Sequence, residues 1–301
     1  MHSPFNKKKD IIRDSHVEGV GLDFGSGLGT ATRVIVKDEN GKILFSGHNT
    51  TVLPGRIALL EEMFGIERNA QQHLTLNTIL GIPHSETSTV LNDSSKKRQT
   101  LWFMAGNGAA SKEVQGKYYS PKNYETKLYN PIPLRMVPEG QDLSSTEREN
   151  YRLRKIIEVN GVNYIAYYAK KFDPGSVILE YNKAEYLPVE SDTVPVDEND
   201  SSHRLSGGSV LAYIDFVLTI ETEELKEYFT IKNGSLDGAG MNEVGMIYAS
   251  DLPNALDDNR YELAAAELFA KVTTENIPFQ RSSVSRLSSY KIYARWCNIV
   301  I

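Results

Sequence analysis

The sequence predicts a mainly β protein, with β-sandwich-like antiparallel sheets and two or three short helices. Three observations carry this expectation. Alternating apolar and polar runs flank Asn-Gly pairs at Asn40-Gly41 and Asn160-Gly161, and such a pair supplies the positive φ angles of a tight hairpin turn. Tyrosine is abundant, at 16 residues, as are Asn, Ser and Thr, a balance that suits strands and extended loops better than a helical bundle. The best helical run, Ile57, Leu60, Met63 and Phe64, is short.

Taken in order, residues 1–18 form an N-terminal arm whose Lys7, Lys8 and Lys9 read as a solvated terminus. The glycine-rich stretch Gly19 to Val34 leads into a hairpin of Thr32 to Lys37 and Lys42 to Gly47. A helix over 56–64 follows, with Pro54 before it and Gly65 as its stop, its apolar residues set against a sheet. Thr100 to Gly108 reads as a strand running into a glycine turn. Residues 116–140 hold four tyrosines and four prolines, too many prolines for a helix or a central strand, so an extended arm or edge segment is expected.

Ser144 to Glu147 offers a capping box. Beyond it lies the clearest hairpin, with Tyr151, Leu153, Ile157 and Val159 alternating on one arm and Val162, Tyr164, Ala166 and Tyr168 on the other, the pattern of one buried face. Residues 188–208 carry five carboxylates, two prolines and almost no large apolar group, an acidic loop or linker. A β run from Gly208, a short helix over Glu223 to Phe229, a turn at Asn233-Gly234 and further strands complete the chain, the last holding Trp296 and Cys297. The expected organisation is an arm at 1–18, a β-rich region at 19–187, the acidic segment at 188–208, and a β region at 209–301 that is either separate or part of the same domain as 19–187.

Composition limits function. A formal net charge of −6 with both signs widely spread does not suggest a nucleic-acid-binding surface. One cysteine excludes an internal disulfide and suits assembly in a reducing compartment. No run approaches the roughly 18 apolar residues of a membrane span, and the N-terminus lacks the apolar core of a secretory signal. The six histidines show no HxxxH or HxH spacing, so no metal is expected. The paired carboxylates Glu61-Glu62, Glu223-Glu224 and Asp257-Asp258 read as solvated faces, and Cys297 as a packed thiol.

The run "GVGLDFGSGLGTATRV" resembles two nucleotide loops, the first motif of S-adenosylmethionine-dependent methyltransferases and the first phosphate loop of actin-like ATPases. A methyltransferase loop must enter a helix, with an acidic residue about 20 positions on. Here a hairpin and "FSGHNTT" stand in those places. An actin-like ATPase needs a second phosphate loop, and neither "AGNGAAS" nor "DGAGMNEVG" has its context. The expectation is therefore that Asp23 to Thr30 joins β elements and holds no cofactor.

A different resemblance covers about a third of the chain. "MNEVGMIYA" (Met241 to Ala249), "LFAKVTTENIPFQ" (Leu268 to Gln280), a closing "IYARWCNIVI" and the earlier "HNTTVLPGRIALLEEMFG" are similar to structural proteins of tailed bacteriophages, with Lys271 where that pattern has arginine. The resemblance implies a β-sandwich-like virion protein, made in the host cytoplasm and assembled in the tail, neck, collar or fibre attachment. Its expected partners are copies of itself in a ring or spike and other virion proteins, with no membrane and no specific nucleic acid. Tyr118, Tyr119, Tyr124, Tyr129, Pro131, Pro133 and Arg135 are the candidate assembly residues. Two other classes stay open: an enzyme using Gly25 to Thr30, and a carbohydrate- or receptor-binding module with exposed tyrosines as its platform.

Overall fold

A computed structural model of the chain describes residues 29–38, 40, 42–48, 50–66, 68–83, 90–91, 97–110, 118–122, 124–172, 174–181, 210–236, 239–253, 261–278 and 289–300. The N-terminal arm, most of the glycine-rich loop and the acidic segment 188–208 lie outside the described residues. The chain divides into two compact units: a larger one of Val34–Asp173 with Val217–Ile292, and a smaller one from Met1–Arg33, Pro174–Phe216 and Tyr293–Ile301. Residues 217–292 thus group with 34–173.

The protein is mainly β, with antiparallel, β-sandwich-like sheets. In chain order the described elements are β1 (Gly29–Asp38), β2 (Ile43–His48), β3 (Thr50–Thr51), α1 (Leu53–Phe64), α2 (Leu76–Leu80), β4 (Gln99–Gly106), β5 (Pro131–Ile132), β6 (Arg135–Pro138) and α3 (Ser145–Arg148). They continue as β7 (Tyr151–Val159), β8 (Val162–Lys171), β9 (Pro174–Tyr181), β10 (Val210–Glu221), α4 (Thr222–Asn233), β11 (Gly240–Pro253), β12 (Tyr261–Pro278) and β13 (Ser289–Val300). In the smaller unit β9 pairs antiparallel with β10, from Val210 opposite Tyr181 to Ile214 opposite Val177.

The larger unit is built on a sheet ordered β3-β12-β11-β4-β8-β6, with β5 on β4 and β7 on β8. Its central pair is buried over most of its length, β11 from Gly240 to Ser250 and β12 from Glu262 to Val272. This is the signature of a strand covered on both faces. One core gathers Trp102, Met104, Leu128, Leu153, Ile247 and Leu268 with the α2 residue Leu76. Opposite the pair Tyr248–Glu267 the register shifts before Ser250–Ala264, leaving an extra residue on β12. Ala265 there has a φ of 49°, so a small side chain sits at the bulge, where a β-branched one would be strained.

Helix α1 begins with Pro54 in its first turn and ends at Gly65, whose φ of 61° caps it. Its orientation overturns the expectation. Pro54, Gly55 and Ala58 are the buried residues, whereas Leu60, Met63 and Phe64 are 53%, 51% and 64% exposed. The reason is proximity to β12: a Cβ on Gly55 would lie 2.0 Å from the Phe269 carbonyl oxygen, so only the small-residue face can approach. Val52 N–H donates to that same carbonyl at 3.2 Å.

Both hairpins form, each with a correction. Between β1 and β2 the Asp38 N–H donates to the Lys42 carbonyl, and the Asp38 carboxylate accepts from the Asn40 and Lys42 N–H groups. Three residues, not two, separate those partners, because the aspartate organises the turn itself. The β7–β8 turn is the expected two-residue one, with Asn160 at φ 54° and Gly161 at φ 78° between paired Val159 and Val162. Its buried surface is not one alternating face: Tyr151, Arg152 and Leu153 are consecutively buried, as are Ile165, Ala166 and Tyr167. Leu153 has a φ of 54°, which breaks the alternation, and α4 packs over β6, the neighbour of β8.

Candidate functional site: buried charge clusters and an exposed face

Strand β11 carries Asn242 and Glu243 into the interior, where two glycine-spaced loops meet them. The Asn242 side chain accepts the Ala109 N–H at 2.9 Å. Glu243 accepts three backbone donors, Gly108 at 2.9 Å and Asn130 at 3.1 Å on Oε2 and Tyr129 at 2.8 Å on Oε1. A Cβ on Gly106 would stand 2.6 Å from Oε2, so the glycine makes room for the carboxylate. Lys271, fully buried on β12, brings Nζ to 3.3 Å from Glu243 Oε1 and 2.8 Å from Glu125 Oε2. The Tyr129 ring covers the ammonium at 3.4 Å from its centroid, a close cation–π contact. The Tyr129 hydroxyl donates to Glu125 Oε1, and burial together with that carboxylate pushes the phenol well above its ordinary range.

A second cluster fastens α1. Arg68 donates to Glu61 at 2.6 Å and to Glu267 at 2.7 Å, and Arg98 spans the same carboxylates at 2.9 and 2.8 Å. His73 is buried between them, with Nδ1 3.3 Å from Glu267 and Nε2 3.9 Å from Glu61. Burial pushes the Glu267 carboxyl up, but His73 and the guanidinium groups of Arg68 and Arg98 outweigh it and hold Glu267 below its ordinary value of 4.5. Glu61 is lowered against its own burial by Arg68 and Arg98. The Arg98 guanidinium also lies 4.4 Å from the Tyr248 ring centroid.

The third cluster joins α4 to the β6–β8 edge. Glu224 accepts from the Tyr151 hydroxyl and from Lys170 at 2.7 Å, and Glu227 accepts from Arg135 and the Met136 N–H. Glu61 and Glu224, expected on solvated faces, are therefore drawn inward by cations, Arg68 from just beyond α1 and Arg98 and Lys170 from farther away in the chain.

Of the candidate assembly residues, the structure brings together Tyr119 and Tyr129, whose rings pack 5.5 Å apart at 59°. Tyr124 is 63% exposed beside Lys122. Tyr118 is half-buried in a bridge to Ala110, Pro131 lies on β5, and Pro133 is buried between β5 and β6. Arg135 is engaged by Glu227 and, at 3.6 Å, by Glu147. The segment packs onto its own unit through Leu128, Ile132, Leu134 and Met136, with β6 at the sheet edge. Glu243, Lys271, Glu267 and His73 were not singled out from the sequence as site residues. The available signal was a charge inside an apolar strand run, "MNEVGMI" and "LFAKV".

Among the described residues no group of three or more His, Cys, Asp and Glu side chains could hold a metal ion, and no helix is long and apolar enough to cross a membrane. The Gly25 to Thr30 loop lies outside them as far as Leu28, as do the side chains of β13, Cys297 included. No curated protein and no solved structure matches the chain. A family profile matches residues 48–275, from the last residue of β2 into β12, which takes in all three charge clusters and the larger part of the 301 residues. The chain belongs to this family, a family of unknown function (DUF7208).

Proposed function

We propose that the protein is a non-enzymatic structural subunit of a tailed-phage virion, assembled by repeated contacts between copies in the tail or neck/collar. The observation that carries this reading is the face of α1. Leu53, Leu60, Met63 and Phe64 follow helical spacing and are 46–64% exposed, and Ile66 extends the stripe at 64%. Apolar stripes of this kind on a folded unit mark contact surfaces, and a closed ring repeats one patch pair around its axis. The exposed Tyr119, Tyr124 and Tyr129 add large, rigid contact groups. The ionisable side chains support the same reading, since the three clusters spend their charges on partners within the chain. The segments resembling phage structural proteins supply β3, α1, β11 and β12, the frame that presents this face.

Mass spectrometry of purified phage particles, with native mass spectrometry of the isolated protein, tests the proposal. A constant copy number per particle and a closed oligomer are expected. A strict monomer at high concentration, absent from particles, overturns the reading. A melting temperature raised by ATP-Mg or S-adenosylmethionine would instead favour an enzyme using Gly25 to Thr30.

A further inference from the structure

We propose that Lys271 and Glu125 become joined by an intramolecular isopeptide bond, formed by the folded protein itself with Glu243 as proton carrier. Amide formation from an amine and a carboxyl group is slow in water because both are charged, solvated and rarely in contact. A site that promotes it must hold nitrogen against the carboxyl group, exclude water, accept the ammonium proton and stabilise the oxyanion. Each requirement has a named group here. Lys271 Nζ lies 2.8 Å from Glu125 Oε2, yet that oxygen, itself buried, has no hydrogen-bond donor aligned on it. The nitrogen thus meets that oxygen at ion-pair distance but outside hydrogen-bond geometry. Water is kept from the amine, with Lys271 and Glu243 both at 0% exposure and the Tyr129 ring over it, while the Glu125 side chain keeps 11% of its surface open.

Glu243 Oε1 is 3.3 Å from Nζ and cannot swing away, because three backbone N–H groups hold its carboxylate. It is placed to take a proton from the ammonium and hand it to the departing oxygen. The Tyr129 hydroxyl donates to Glu125 Oε1, where negative charge grows as the nitrogen lone pair attacks Cδ. In balance, the Nζ–Cδ bond forms and the Cδ–Oε2 bond breaks. The two protons lost by Nζ leave on Oε2 as water, and Glu243 ends as it began. An ammonium and a carboxylate become one neutral amide, and the burial cost of both charges disappears. The bond would tie β12 covalently to the 125–130 loop, whether or not the chain assembles into a virion.

Intact mass of the purified full chain under denaturing conditions, followed by peptide mapping, tests this. The expected result is a mass short by one water and a branched peptide linking Lys271 to Glu125. Lys271→Met and Glu125→Ala should each restore the full mass, and Glu243→Ala should leave most molecules unlinked. Should those variants fail to fold, the wild-type measurement decides alone. A full calculated mass in aged folded protein, or a water loss mapped elsewhere, such as an aspartimide at Asp237-Gly238, overturns the proposal.

Discussion

Glu243 and Glu267 are carboxylates on the neighbouring strands β11 and β12, at 0% and 1% exposure, yet they are neutralised by different means. Glu243 is held by three main-chain N–H groups from the 108 and 129–130 loops and by one lysine. Glu267 is held by the guanidinium groups of Arg68, just beyond α1, and Arg98, just before β4, with the His73 imidazole 3.3 Å away. Main-chain donors fix position, so Glu243 determines where two loops run. Guanidinium groups supply charge, so Glu267 works as a clamp, and it shares its cations with Glu61. One cluster shapes the protein and the other fastens a helix.

The largest effect separating the two should come from Glu243→Ala. It strands three part-buried main-chain donors and leaves the buried Lys271 with only Glu125 and the Lys127 carbonyl, so a loss of about 3–5 kcal/mol is expected. The midpoint of urea unfolding measures it. A loss under about 1 kcal/mol would show that the loops hold their course without the carboxylate. Glu267→Gln should cost less, about 2–3 kcal/mol, because Arg68 and Arg98 keep Glu61.

The clamp should also respond to pH. Glu61 and Glu267 have folded-state values below 4.5, so between those values and 4.5 the unfolded chain binds more protons. The stability they supply is complete above 4.5 and is lost as pH falls through the folded-state values. Glu267→Gln should flatten that acid limb. An unchanged slope in the variant would remove the clamp from the account.

Much of the fold was legible because it rests on local chemistry. The Asn160-Gly161 turn, the Ser144–Glu147 capping box and the Gly65 helix stop depend on residues within a few positions of one another. The charge clusters were not legible, since each joins residues far apart in the chain: Glu243 with Tyr129, Arg68 with Glu267, Lys170 with Glu224. Sequence pattern assigns such residues to the surface, where isolated charges belong. Only the fold supplies the partner that permits burial. The α1 face failed for a related reason. Apolar periodicity identifies a stripe but not its neighbour, and the close approach to Phe269 admits only Gly55 and Ala58.

That reversal leads to the smallest expected effect on stability and the most direct test of assembly. Leu60→Ser and Phe64→Ser replace side chains already 53% and 64% exposed, so each should change stability by about 0.5 kcal/mol or less. If the stripe is the contact between copies, the double variant should remain folded, keep its unfolding midpoint, and run as a monomer where the parent runs as an oligomer. A loss of more than about 2 kcal/mol would instead mean that these side chains pack within the chain. Unchanged assembly would move the contact elsewhere, to Tyr119, Tyr124 and Tyr129. The Glu267 clamp sets how firmly α1 holds that face, so Glu267→Gln should weaken assembly only under conditions where it also weakens the fold. The stripe variants should separate the two.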